Sequence, residues 1–150
     1  MQIHELTAAE CRDVLSRATL GRLACSRDAQ PYVVPVSFAY DEPSQCLYGF
    51  SGIGRKIDWM RRNPKVCVEV EDIGDRFHWT TVVVVGRYDE LEDAPELRPL
   101  RQHALELFER RTEWWLPGAA RTGPREHPSV VVYRIHIVSV TGRRAAGDGS

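Results

Sequence analysis

Long apolar runs are missing from this chain of 150 residues. The longest, such as Val82-Val83-Val84-Val85, fall far short of the about 18 residues that a bilayer crossing needs. The opening Met1-Gln2-Ile3-His4-Glu5 has no cationic stretch leading into an apolar core, so a cytoplasmic protein with no membrane partner is expected. An excess of one charge is missing as well. Lys and Arg number 20 against 21 Asp and Glu, which leaves no global field to favour nucleic acid or an anionic surface. The four cysteines, Cys11, Cys25, Cys46 and Cys67, form no C-x-x-C and have no His at ligand spacing. Buried reduced thiols and no metal are expected of them. Neither an internal repeat nor a Ser-His-Asp or paired-carboxylate constellation is found.

What is present is a local concentration of anion-binding features. Leu47-Tyr48-Gly49-Phe50-Ser51-Gly52-Ile53-Gly54-Arg55-Lys56 runs from a strand pattern through glycines into two adjacent cations, and Ile57 to Asn63 then reads as a helix. A helix N-terminus offers unpaired N–H groups and partial positive charge, glycines admit an anion close to the backbone, and Arg and Lys add full charges. A phosphorylated ligand is one reading. The other is a plain turn followed by a solvated pair of cations, since the stretch is neither a P-loop nor a dinucleotide fingerprint.

The remaining pattern is mostly strands. Thr7-Ala8-Ala9-Glu10 is a capping box that predicts a helix over 8–18. Leu20–Ser26 and Tyr32–Tyr40 read as a hairpin, and Cys46–Phe50 pairs back as the third strand of a meander. A helix over 55–63 must stop before Pro64. Val66–Val70, an acidic turn at Glu71–Asp75 and a long strand over Phe77–Tyr88 follow. A helix begins after Pro95, an irregular loop carries Trp114-Trp115, and a last strand covers Ser129–Thr141. One domain over 1–142 with a flexible tail over 143–150 is expected. About six strands with helices at the edges predict an α+β, predominantly β fold, a small barrel closed on itself.

The pieces Gln30-Pro31-Tyr32-Val33-Val34-Pro35-Val36-Ser37-Phe38-Ala39-Tyr40-Asp41, Leu47-Tyr48, Gly54-Arg55-Lys56, Arg61-Arg62-Asn63-Pro64-Lys65-Val66-Cys67, Trp79-Thr80-Thr81-Val82 and Gly86-Arg87 occur in a fixed order. In order and spacing they resemble the flavin-binding split-barrel proteins related to pyridoxamine 5′-phosphate oxidase. The nearest branch resembles the nitroimidazole-resistance type. The resemblance implies a six-stranded antiparallel split β-barrel with short flanking helices, forming a homodimer with FMN in clefts at the subunit interface. It also implies an oxidoreductase that passes electrons or hydride from a reduced nicotinamide to a small organic substrate. By residue, it implies that Arg55 and Lys56 grip the FMN phosphate with Ser51 nearby. Val34, Pro35, Val36 and Ser37 would lie along the isoalloxazine edge, and Trp79 and Thr81 would face the cofactor.

Two departures limit the transfer. Phe50 stands where the nitroimidazole-resistance branch usually has a His, so proton chemistry assigned to that imidazole does not carry over. The phosphate Arg of the oxidase has no counterpart near Val33, and its C-terminal substrate residues are not recognisable in Ser129–Arg143. Three other readings remain: a deazaflavin coenzyme on the same barrel, a non-catalytic carrier or sensor of flavin or haem, and a nucleic-acid stripe of Arg55, Lys56, Arg61, Arg62 and Lys65. The acidic Glu69, Glu71, Asp72 and Asp75 argue against the last. His78, His103, His127 and His136 form no metal set. Trp59 reads as core, and the Trp114-Trp115 pair as a dimer contact or a lid.

Overall fold

Thr7 caps the first helix as its sequence dictates: the Glu10 amide donates to Thr7 Oγ1 at 3.2 Å and the Thr7 amide to Glu10 Oε1 at 3.0 Å. The chain, described in a computed structural model at residues 1–110 and 130–147, runs Gln2–Glu5 (β1), Ala8–Arg17 (α1), Leu20–Arg27 (β2), Gln30–Ser37 (β3) and Ala39–Asp41 (β4). It continues through Cys46–Ser51 (β5), Arg55–Arg62 (α2), Lys65–Asp75 (β6), His78–Glu90 (β7), Arg98–Glu109 (α3) and Val131–Ala146 (β8). A 3-10 turn at Pro95–Leu97 leads into α3.

The strands form one antiparallel sheet in the order β3-β2-β6-β7-β8-β5-β4, with β1 added along β8. It curls, because Val36 of β3 and Leu47 of β5, from opposite ends of that order, belong to the same buried cluster as Val68, Val82, Val84 and Ile135. Helix α1 adds Cys11, Val14 and Leu15 to this cluster and α2 adds Ile57 and Met60. Each fully buried aliphatic side chain there contributes about 1.5–3 kcal/mol. This is the predominantly β split barrel expected. Cys46, Tyr48 and Val132 form a second cluster with Leu91 and Ala104, against which Phe50, Leu100 and Phe108 pack.

Several local expectations need correction. The strand expected over Tyr32–Tyr40 is two strands, because Phe38 turns into the core at 2 % exposure and its amide donates to the Thr19 carbonyl. The expected meander is therefore broken: β5 pairs back on Ala39 and Tyr40, the end of the expected strand that is now β4, but its other neighbour is β8 and it does not pair with β3. Glu71–Asp75 is not a turn but the end of β6. Arg22 and Arg17 neutralise Glu71 and Asp72 there, and the chain reverses at Arg76-Phe77. Nor does the sheet close. Its edges are β3 and β4, the one blunted by Pro31 and Pro35 and the other by its length of 3 residues. Finally, Arg143–Ala146 is not a free tail, since Glu5 to Gln2 pair with it residue for residue. Ser129, Trp114, Trp115 and His127 lie outside the described residues.

Candidate cofactor site

Helix α2 begins at Gly54, whose extended backbone offers no side-chain cap, so the first amides of the helix are left for another acceptor. Gly52 and Gly54 border open space: a Cβ at either would meet no atom within 4 Å. Side-chain packing does not require them to be glycine. Their bareness keeps the approach to α2 clear.

Two cations flank that approach in different ways. Arg55 is exposed, with its guanidinium carbon 5.3 Å from the centroid of the Tyr32 ring, a cation–π contact. The Tyr32 ring in turn meets Trp59 at 5.5 Å, so Arg55 rests on an aromatic pair held by the core cluster. Lys56 is half-buried, and its side chain makes no hydrogen bond or ion pair among the described residues. Burial pushes its ammonium below the ordinary lysine range, opposed only by the Cys25 thiol. A half-buried ammonium with no counter-charge among the described residues is a place where a bound anion would be stabilising. The other arginines nearby are committed: Arg61 grips Glu90 with bonds of 2.8 and 3.0 Å, Arg62 pairs with Asp58, and Arg27 with Asp58 and Asp28.

The remaining expected residues divide by strand alternation. Val34 and Val36 point inward, Val36 into the core cluster and Val34 against it. Pro35 shares the outer face with its cross-strand partner Arg22, and the register continues through Glu69, Val83 and Thr141. The neighbouring row carries Glu71, Thr81 and Arg143, and the next one Ile73 and Trp79. Thr81, Trp79 and Pro35 thus lie on one exterior face. Ser37 has its Oγ buried without a hydrogen-bond partner, an orphaned polar atom of the kind a ligand or water satisfies. Ser51 Oγ donates to the Gly52 carbonyl at 2.8 Å. Phe50 does not join this group. Its ring meets Phe108 at 4.6 Å in the second cluster, under α3.

Sequence reasoning missed Tyr32 as the platform for Arg55, and it read Glu69 and Glu71 only as charge against a nucleic-acid stripe, not as neighbours on one exterior face. Burial and the neighbouring Glu71 push the Glu69 carboxyl above its ordinary range, while Arg22 pulls it down. Tyr32 alternates with Val34 and Val36, which is a signal for its facing but not for what lies over it. No group of three or more metal-ligating side chains occurs among the described residues, and no helix among them is long and apolar enough to cross a membrane.

The family model described as pyridoxamine 5′-phosphate oxidase matches residues 7–144. The chain therefore belongs to the pyridoxamine 5′-phosphate oxidase family. It is similar to an uncharacterised protein of Rhizobium meliloti, 38% identical over 152 residues and 99% of each chain. Among solved structures, a FAD-binding protein of Mesorhizobium loti is 44% identical with a TM-score of 0.81, covering 97% of this chain and 100% of that one. A proposed 5-nitroimidazole antibiotic resistance protein of Bacteroides thetaiotaomicron, 20% identical over 96% of this chain and 89% of that one, shares the fold with a TM-score of 0.69.

Proposed function

We propose that this protein binds a flavin, with its ribityl phosphate held by Arg55, Lys56 and the open first turn of α2. The observation that carries this reading is the half-buried Lys56 without a counter-charge among the described residues. Charge-assisted donors beside a bare helix start suit a phosphate dianion. Family membership and the FAD-binding relative support a flavin. FMN is favoured over FAD because Arg61, Arg62 and Arg27 are already paired with carboxylates, leaving α2 with one phosphate's worth of uncommitted charge. The orphaned Ser37 Oγ fits a ligand edge along β3.

A bound flavin would supply the electron and hydride chemistry of an oxidoreductase acting between a reduced nicotinamide and a small organic acceptor. The chain's own residues bind the phosphate, wall off water and orient the ring. The working unit in this reading is a homodimer, as the family resemblance implies, and the exterior face offers Val83 and Val85 (39 and 44 % exposed) beside Thr81 as apolar side chains for a second copy to cover.

The test is to denature the purified protein and identify what it releases by absorbance and mass. FMN is expected. Released FAD would move the phosphate assignment, a deazaflavin would change the donor chemistry, and a Soret band would make the protein a haem binder.

A further inference from the structure

Three residues from three strands meet at the edge of the second buried cluster. Cys46 and His136 stand directly opposite each other in the β5–β8 register, and Asp89 of β7 stands opposite Arg134, two residues before His136. Cys46 Sγ lies 3.4 Å from His136 Nδ1, and His136 Nε2 lies 3.3 Å from Asp89 Oδ2. Arg134 Nε donates to the same carboxylate oxygen at 2.8 Å. Burial raises the Asp89 carboxyl, but the bonds from Arg134 and His136 outweigh it and hold the group below its ordinary range, so it stays an anion. An anion there only accepts, which places the imidazole proton on Nε2 and turns the Nδ1 lone pair towards the thiol. Thiol, imidazole and carboxylate thus stand in the order that removal of a proton from sulfur requires.

The other two buried cysteines have no such arrangement. Burial pushes the thiols of Cys11 and Cys25 up, yet neither has a hydrogen-bonding partner among the described residues. Cys46 is wholly buried among Tyr48, Leu91, Ala104 and Val132, and burial pushes its thiol up as well, so it is protonated at rest and inert without a base. Its cover is thin on one side. The Ser44 carbonyl, 3.4 Å from Sγ, belongs to an exposed turn over 42–45, in which Gln45 has a left-handed φ of 53°. The His136 side chain is 45 % exposed, so the imidazole joins the buried sulfur to solvent. A path this narrow favours a reagent near the size of water.

We propose that Cys46 is a site of oxidation by hydrogen peroxide, with His136 as the base that takes the thiol proton and Asp89 as the residue that positions the imidazole. Sulfur attacks one peroxide oxygen, and an S–O bond forms as the O–O bond breaks. The thiol proton passes by way of His136 Nδ1 to the departing oxygen, which leaves as water. Sulfur loses two electrons and the peroxide gains them, so a thiol and a peroxide become a sulfenic acid and water. None of the three residues belongs to the candidate cofactor site, and the proposal is independent of the flavin.

The purified protein is exposed to hydrogen peroxide, the excess is destroyed with catalase, and the chain is then unfolded in dimedone, which tags sulfenic acids for peptide mass analysis. Cys46 should be tagged about tenfold or more faster than Cys11 and Cys25. His136→Gln removes the base and keeps a polar side chain, so tagging of Cys46 should fall about tenfold or more while that of Cys11 and Cys25 is unmoved. Asp89→Asn, which no longer holds the imidazole in one tautomer, should slow Cys46 by a smaller factor. Wild-type Cys46 tagged no faster than Cys11 and Cys25 would overturn the proposal. Undiminished tagging of Cys46 in His136→Gln would overturn it too, since access and not proton removal would then set the rate. Faster tagging of all three cysteines would mark a variant that opens globally; Asp89→Asn then decides, and an unchanged Cys46 rate there overturns the proposal.

Discussion

The Arg55 guanidinium lies 5.3 Å above the Tyr32 ring while Lys56, the next residue, turns its ammonium into the half-buried space beside Cys25. Adjacent cations on a helix point about 100° apart, so one pair of residues covers an anion from two directions. Replacing both by Ala should weaken flavin binding by about 3–6 kcal/mol, two charge-assisted contacts, with a smaller effect on folding. Fluorescence quenching on titration of FMN into the apo double variant measures this. Unchanged affinity would place the phosphate elsewhere.

Lys56 should also show a trade between stability and binding. Its folded-state pKa is depressed by burial, so the unfolded chain binds more protons in the alkaline range, and stability of the apo protein rises with pH through that window. Lys56→Met removes the desolvated charge while keeping the apolar stem. The apo variant should melt at a higher temperature than the wild type, its stability should lose that alkaline rise, and FMN should no longer stabilise it appreciably. Thermal melts with and without FMN between neutral and alkaline pH decide the matter.

Glu90 fixes α2 to the end of β7. It accepts two bonds from Arg61 and one of 2.7 Å from the Tyr88 hydroxyl. The Arg61 bond holds its carboxyl below the ordinary glutamate range against the cost of burial. A depressed folded pKa means the stabilisation is present above the unfolded carboxylate pKa and is lost as pH falls through the folded one. Glu90→Gln should therefore lower the melting temperature at neutral pH and converge on the wild type in acid. A difference that persists in acid would mean that the ion pair is not the cause.

Phe50, at the position where the nitroimidazole-resistance branch usually has a His, packs its ring beneath α3. Because its ring meets Phe108 of α3, Phe50→His should cost about 1 kcal/mol or more of stability and leave flavin affinity nearly unchanged. Comparing urea midpoints and FMN titrations of the two proteins checks it. A large change in flavin affinity would show that Phe50 reaches the cofactor.

Gly86 has no room for a side chain: a Cβ there would come within 2.5 Å of Ile135 Cγ2 and 2.7 Å of the His136 carbonyl oxygen. It lies where the β7–β8 register shifts. Gly86→Ala should destabilise by about 1–3 kcal/mol through overpacking. Chemical denaturation reports the loss, and an unaltered midpoint would show that β8 yields at the bulge.

Local chemistry was legible in the sequence because it is written in neighbouring residues. The capping box at Thr7, the stop before Pro64, the alternation of Val66 to Val70 and the glycine-to-cation run before α2 all depend on contacts within a few positions. The resemblance, carried by ordered short pieces, added the barrel. Tertiary structure decided what depends on residues distant in sequence. Phe38 splits one strand into two because a core lies beneath it. Glu71–Asp75 extends a strand because Arg17 and Arg22 arrive to neutralise it, and Arg143–Ala146 is ordered because Gln2–Glu5 supplies its ladder. The same holds for the site. That Arg55 and Lys56 are cations is sequence; that Arg55 stands on Tyr32 and that Lys56 has lost water without gaining a counter-charge among the described residues follows only from the way α2 packs on β2 and β3. Phe50 and Ser51 are adjacent in the chain, yet β alternation sends the Phe50 ring beneath α3. Sequence could place it beside the cations, but only the fold shows its ring against Phe108.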